Sequence, residues 1–282
     1  MLPLTPELAR KKAQLDAHLS SLGRTLVAYS GGVDSAFLSF EAHHVLGDQV
    51  LAVIADSPSL ARTQLDDALA FADEQGFACQ VISTSEISRP EYVRNDAHRC
   101  YFCKDELFTV LEDFRKSAGF ETIAYGVNMD DQGDFRPGQQ AARQHNVVAP
   151  LLDAGLTKSD IRELARAADL RIWDKPASAC LASRIAYGHP VTRDVLSVVE
   201  RGEEFLRSLG FRQFRVRHHG EIVRIEIARD ELARALDLQM AGNLTREFKA
   251  LGFKFVTLDL EGFRSGSMNS LLGPETLTRK AG

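Results

Sequence analysis

The chain has 282 residues, of which 44% are apolar and 26% charged, and its formal net charge is −5. That length supports one large domain or two smaller ones, and the acidic balance excludes the protein-wide positive footprint of a general nucleic-acid binder. The opening stretch MLPLTPELARKKAQL holds neither a signal-peptide core nor an apolar span, so a cytoplasmic protein without membrane contact is expected.

Residues 6–22 place Leu8, Leu15, Leu19 and Leu22 between charged residues and predict an amphipathic helix. Residues 26–29 read as a strand, Ser30-Gly31-Gly32 as a tight turn, and 36–46 as the helix that follows. Residues 50–55 form a second strand, 56–59 a turn and the start of a helix running through Gln75, and 77–82 form a third strand. This β-α-β-α-β order predicts an α/β fold with a doubly wound, mostly parallel sheet. Residues 83–99 lack periodicity, 105–118 read as an amphipathic helix, and 120–127 as a strand opening into the polar run 128–138. A short apolar segment at 147–152 precedes a helix start at 157–160, a helix over 161–168 and a polar loop over 174–184.

The pattern changes at Gly188-His189-Pro190, which divides a domain of 1–189 from a smaller α+β domain of 190–282. The second domain reads as a helix over 192–209, a hairpin of 214–218 and 222–227, and helices near 230–236 and 244–251. A strand at 254–258 and a loose tail after Leu272 complete it.

Chemistry gathers first at TLVAYSGGVDS, residues 25–35. Paired glycines between a strand and a helix start let backbone N–H groups approach an anion, and Ser30 and Ser35 add hydroxyls beside the positive end of the helix dipole. The loop has an aspartate where a Walker P-loop has lysine, and it lacks the dinucleotide fingerprint G-x-G-x-x-G. In an open α/β sheet such a loop lies outside the carboxyl ends of the strands, so the polar run after residue 127 is expected on the same edge.

The string SGGVDS resembles the loop of the N-type ATP pyrophosphatases, or PP-loop enzymes, which cleave ATP to AMP and pyrophosphate and adenylate a substrate. Together with RCYFCK, YGVNMDDQGDFRPG, KPASACLASR, RVRHHG and DLEGFRSGSMN, spread from Ser30 to Asn269, it resembles the LarE family. These are ATP-dependent sulfur transferases of nickel-pincer nucleotide synthesis. The resemblance implies Mg2+ and ATP as reagents and a nicotinic-acid-derived mononucleotide as substrate, its carboxylate adenylated and then converted to a thiocarboxylate. It also implies a homo-oligomer, a hexamer in that family, with no membrane or nucleic-acid partner.

On that resemblance Ser30, Gly31, Gly32, Asp34, Ser35, Lys104 and Gly126 fall at the ATP site, and Asn128, Asp131, Arg136, Arg184, Arg217 and Arg264 around the substrate. Arginines suit this task because guanidinium groups give bidentate contacts to phosphate, with a structural ion pair as the other reading of Arg184, Arg217 and Arg264 and a surface helix position as that of Lys104. Asn128, Asp131 and Asp134 are equally suited to capping their own turn. Glu200 and Glu204, one helical turn apart, are candidates for an acidic or metal-contacting site, with a solvated helix face as the other reading. His218 and His219 are expected to pack or hydrogen-bond at a turn.

Cys180, in ACLASR, matches the reactive cysteine of the family; a thiolate is a strong nucleophile toward an acyl adenylate. Cys100 and Cys103 complicate that role. Some members of the family carry a [4Fe-4S] cluster on three cysteines, and Cys100, Cys103 and Cys180 supply the same soft donors. The sulfur then comes from a cluster-bound sulfide, or else from a Cys180 consumed once and left as dehydroalanine. Cys79, in an apolar strand, is expected in the core. The competing readings are a PP-loop amidotransferase, a transfer-RNA sulfurtransferase, and a noncatalytic nucleotide-binding regulator.

Overall fold

The computed structural model describes residues 4–132, 137–176, 179–264 and 267–268. Arg136, Asp134 and the tail after Leu272 therefore lie outside the described residues. The described chain forms two compact units: 4–86 with 100–176, and 87–99 with 179–264 and 267–268. Residues 179–189 thus group with the second unit, as does the aperiodic stretch 87–99.

The first unit is built on four parallel strands, β1 (Thr25–Tyr29), β2 (Val50–Asp56), β3 (Cys79–Ser83) and β4 (Thr122–Tyr125), in the order β3-β2-β1-β4. β1 alternates its side chains: Val27 and Tyr29 enter one apolar cluster, Leu26 and Ala28 another. The first cluster is closed by helices α1 (Pro6–Ser20), α2 (Val33–Leu46) and α3 (Arg62–Gln75), through residues such as Leu15, Phe37 and Phe71. The four-residue α4 (Pro90–Val93) belongs to the second unit, and α5 (Arg99–Ala118) follows it. Phe108 and Leu111 of α5 and Ala141 and Ala142 of α6 (Pro137–Gln144) close the second cluster. The short α7 (Pro150–Asp153) and α8 (Lys158–Ala167) return to the first through Leu151, Ile161 and Leu164. Buried on both faces, the central strands β1 and β2 read as continuous apolar runs, as parallel sheets do, whereas the edge strand β3 is half-exposed.

Two helix starts in this unit differ most from the sequence expectation. The turn expected at 56–59 is present, with a Ser59 N–H to Ser57 Oγ bond of 3.2 Å, but the helix expected to open there starts only at Arg62. α5 starts six residues early, at Arg99, so Cys100 and Cys103 lie near its start rather than ahead of it.

In the second unit, α9 (Arg193–Ser208) is capped by Thr192, whose hydroxyl accepts from Val195 N–H at 3.2 Å. β5 (Phe214–His219) and β6 (Ile222–Ile227) form the expected antiparallel hairpin, turned at Gly220, which has φ +69°. After α10 (Leu232–Ala235) and α11 (Leu238–Ala250), β7 (Phe255–Leu258) pairs parallel to β6. α9 and α11 approach closely: a Cβ on Gly202 would stand 2.7 Å from the Phe248 ring. No described helix is long and apolar enough to cross a membrane.

Candidate active site

The chain runs from β1 to β2 to β3 on one side and returns with β4 on the other side of β1. The crevice outside the carboxyl ends of β1 and β4 is therefore the topological switch point, where open α/β sheets take ligands. Ser30-Gly31-Gly32 leaves β1 there, and Gly32 caps α2. Gly31 adopts φ +70°, and a Cβ on it would fall 2.6 Å from Ala68 Cβ, so glycine is required on both grounds. Ser30 N–H donates to Ser35 Oγ at 3.1 Å and the two hydroxyls stand 3.0 Å apart, which folds the loop over the helix start. Gly126, just past β4, presses on that start: a Cβ there would be 2.7 Å from Ser35 N and 2.9 Å from its Cα. The two polar segments thus share one edge.

Around the loop stand groups that sequence reasoning missed. Lys158, at the start of α8, donates to Asp34 Oδ2 at 2.5 Å, while the buried Asp34 Oδ1 has no hydrogen-bond partner. Lys175 donates to the Gly31 carbonyl at 2.8 Å and pairs with Asp67, which also bonds Arg171 at 2.6 Å. Burial works against the Asp67 carboxylate, but hydrogen bonds from Lys175 and Arg171 outweigh it and hold the carboxyl below its ordinary range. Arg162 of α8 fixes the turn that carries Lys175, donating to the carbonyls of Trp173 at 2.6 Å and Lys175 at 2.7 Å. Only the lysine at 158 had a local signal, the Thr157 capping box with Asp160 that sets the start of α8.

Asn128 and Asp131 form a reciprocal capping box, with Asn128 Oδ1 accepting from Asp130 N–H at 2.9 Å and Asp131 Oδ2 accepting from Asn128 N–H at 3.1 Å. On α5, Lys104 lies one residue beyond Cys103, its Cγ 2.9 Å from where a Gly138 Cβ would be. Cys100 is exposed and Cys103 half-buried, one turn apart on the same helix. Cys79 is half-buried against the core, and burial pushes its thiol up to about 11.

In the second unit, Cys180 is half-buried and precedes a single 3-10 turn, Leu181–Arg184. Its carbonyl accepts from Ser183 Oγ at 2.7 Å and Arg184 Nη1 at 3.1 Å. Arg184 also donates at 2.9 Å to Glu203, and both are buried. Glu203, between the singled-out Glu200 and Glu204, is the buried acid of α9; it falls on the apolar stripe of Leu196, Val199 and Leu206, the signal that marks it. Glu204 is exposed. Arg217 donates to the buried Glu226 at 2.8 Å and to the Ser183 carbonyl at 3.2 Å, while its buried Nε has no hydrogen-bond partner. Its cross-strand neighbour Arg224 bonds the other Glu226 oxygen at 3.1 Å, and its Nε is likewise unpartnered. Burial, and next the Arg184 charge, bring Arg215 down to about 10. Arg264 pairs with Glu261 at 2.5 Å on the surface. Within either unit, no described group of three or more His, Cys, Asp or Glu side chains is gathered as a metal ion requires.

No family model matches the chain. It is 40% identical over 265 residues to an uncharacterized protein of Synechocystis sp., a match spanning 94% of this chain and 99% of that one. It is 37% identical over 266 residues to the pyridinium-3,5-bisthiocarboxylic acid mononucleotide synthase of Lactiplantibacillus plantarum, spanning 94% and 96%. A more distant match, 25% identical over 227 residues, joins 68% of the chain to 67% of a glutamine-hydrolyzing GMP synthase polypeptide of Methanocella arvoryzae. Loop, sheet order and relatives together define an ATP-using enzyme of the PP-loop ATP pyrophosphatase superfamily. More narrowly, the chain belongs to the family that holds the L. plantarum synthase and the Synechocystis protein.

Proposed function

We propose that the protein is an ATP-dependent sulfur transferase that converts a carboxylate of pyridinium-3,5-biscarboxylic acid mononucleotide to a thiocarboxylate, in nickel-pincer cofactor synthesis. The observation that carries the ATP half is the loop at the switch point, with the buried Asp34 Oδ1 unpartnered beside Ser30, Gly31, Gly32 and Ser35. An orphaned carboxylate oxygen next to a phosphate cradle suits the magnesium of Mg-ATP. Lys158 and Lys175 supply the positive charge that a departing pyrophosphate demands. The sulfur half is supported by similarity to the L. plantarum synthase along nearly the whole chain.

The substrate carboxylate attacks the α-phosphorus, forming an acyl adenylate and releasing pyrophosphate. The Cys180 thiolate then attacks the acyl carbon and AMP leaves. Loss of the Cys180 Cα proton breaks the Cβ–Sγ bond, giving the thiocarboxylate and dehydroalanine at 180. Cys100 and Cys103 have the donor chemistry and one-turn spacing of cluster ligands, and with Cys180 they would hold a [4Fe-4S] cluster. When bound, that group supplies a sulfide in place of the Cys180 sulfur. Arg264, whose pair with Glu261 is exposed, is assigned to the substrate phosphate, and the assembly to a homohexamer.

The test is substrate-dependent ATP–pyrophosphate exchange, followed by product mass after anaerobic purification with iron and sulfide analysis. Thiocarboxylate formation with AMP release is expected. Exchange without sulfur incorporation when sulfide or an intact Cys180 is present overturns the sulfur reading and leaves an amidotransferase, identified by ammonia consumption. Intact mass separates the two sulfur sources: loss of one hydrogen sulfide from the chain marks consumed Cys180, and an unchanged chain with bound iron marks the cluster.

A further inference from the structure

The aperiodic stretch before the CxxC motif has a defined task in the second unit. Val191 N–H donates to the Val93 carbonyl at 2.9 Å and Gly188 N–H to the Asn95 carbonyl at 3.1 Å, so residues 93–95 run alongside 188–191. Asn95 is fully buried, at 0% exposure, and adopts φ +56° in the left-handed region. Its Nδ2 lies 2.9 Å from the carbonyls of both Ala186 and His189, and 3.3 Å from that of Ile185. Its Oδ1 accepts from Arg99 Nη1 at 2.5 Å, and the same Nη1 reaches the Ala182 carbonyl at 2.8 Å. The carbonyls of Ala182, Ile185, Ala186 and His189 all turn toward this one buried pair.

These carbonyls belong to the loop that bears Cys180. On its other side, Arg184 and Ser183 hold the Cys180 carbonyl, and Ala186 N–H pairs with the His218 carbonyl at 2.9 Å. The loop lacks the regular pairing of a strand or long helix, so its buried backbone acceptors need partners from elsewhere. Asparagine meets three demands at once: it tolerates a positive φ, its NH2 supplies donors, and its oxygen accepts from Arg99. Glycine would keep only the backbone shape, and aspartate the backbone shape and the acceptor without the donors.

We infer that Asn95, with Arg99, is the positioning residue for Cys180, and that its amide is required for the sulfur-transfer step. This rests on the sulfur-transfer reading above. Arg99 is also the residue immediately before Cys100, so the chain passes directly from the support of the Cys180 loop into the CxxC turn.

The test uses the full chain as Asn95→Gly and Asn95→Asp. Hydrogen exchange in the peptide 181–191, the pH profile of Cys180 alkylation by iodoacetamide with Cys100 as internal reference, and turnover are measured together. Both variants are expected to expose 181–191 to faster exchange and to change the Cys180 profile but not that of Cys100. Turnover to thiocarboxylate should fall about 10²-fold, the cost of misplacing a reacting group by about 1 Å, while the KM for ATP holds within about twofold. If neither Asn95 variant folds, Arg99→Lys, which keeps the charge and drops the Ala182 link, is read in the same way. Folded variants with wild-type exchange at 181–191 and wild-type Cys180 reactivity overturn the inference. If the wild-type protein forms no thiocarboxylate, the sulfur reading fails instead, and the exchange and alkylation data still decide whether Asn95 holds the loop.

Discussion

The two units use charge in opposite ways. Beside the loop of the first, the side chains of Lys158 and Lys175 are 32% and 20% exposed and pair with Asp34 and Asp67, which are themselves 21% and 35% exposed. In the second, Arg184 and Glu203 are 3% and 9% exposed, and Arg217 and Glu226 are 7% and 0%. A partly solvated pair contributes little to stability and exchanges partners readily. A buried pair is expensive to break, because removing one member strands the other charge in low dielectric. The first unit therefore holds cations beside its loop that can be handed to an incoming polyphosphate, whereas Arg184 and Arg217 of the second are committed to buried acids and loop carbonyls.

The sharpest way to break this contrast is to cut one pair in each unit. Glu203→Ala leaves Arg184 uncompensated and should cost about 3–5 kcal/mol in urea unfolding. Asp67→Ala should cost no more than about 1 kcal/mol. Equal losses would show that exposure does not separate the two sets. Next in size is Gly126→Ala. The new methyl would meet the backbone of Ser35 rather than a movable side chain, so a loss of about 1–3 kcal/mol is expected from overpacking. ATP binding should weaken with it, read by calorimetric titration, because the displaced atoms begin the phosphate cradle.

The same contrast explains what could be read from the sequence. The first unit's site is made largely of backbone: strand, glycine turn and helix start each leave a local mark, so residues 25–35 predicted their own geometry, and the edge shared with Gly126 followed from the rule for parallel sheets. Lys175 left no mark, because it reaches the loop by tertiary folding from beyond residue 150, on a turn that Arg162 holds through the carbonyls of Trp173 and Lys175. The second unit's site is made of buried side chains bonding to carbonyls far away in sequence. Asn95 reaches 91 residues to Ala186 from a stretch that has no periodicity to announce it. Glu203 is masked by its exposed neighbour Glu204, although its place on an apolar helical stripe is legible. The polar run after Asn128 predicted a turn, and its capping box bears out the local reading of Asn128 and Asp131 without testing the substrate role.

Lys175→Met sharpens the claim that the first unit's cations are available. It removes a charge 2.8 Å from the Gly31 carbonyl while leaving the loop backbone in place. A loss of roughly 10²-fold in kcat/KM for ATP is expected, the scale of one preorganised electrostatic contact to a developing anion. The urea midpoint should stay near that of the wild type. A large loss of stability with unchanged ATP kinetics would make Lys175 a structural residue like Arg184.

The smallest expected effect concerns pH. Burial, and next the charge of His189, push His218 below its ordinary value; burial, and next Arg224, do the same to His219, whose buried Nε2 has no hydrogen-bond partner. A base with a depressed native pKa binds fewer protons folded than unfolded, so its contribution is fully present above about pH 6.5 and fades as pH falls toward the native values. The Asp67 contribution in the first unit follows the other carboxylate sign, lost only as pH falls below about 4. Urea midpoints taken downward from pH 7.5 should therefore decline first in the histidine window, by less than about 1 kcal/mol per half-buried group after solvent screening. His219→Gln should flatten that part of the curve and leave the carboxylate part unchanged. An unaltered slope between pH 6.5 and 5 in His219→Gln would show that the charged surroundings of β5 and β6 accept a protonated imidazole at no cost, contrary to the close spacing of Arg217, Arg224 and His189 around it.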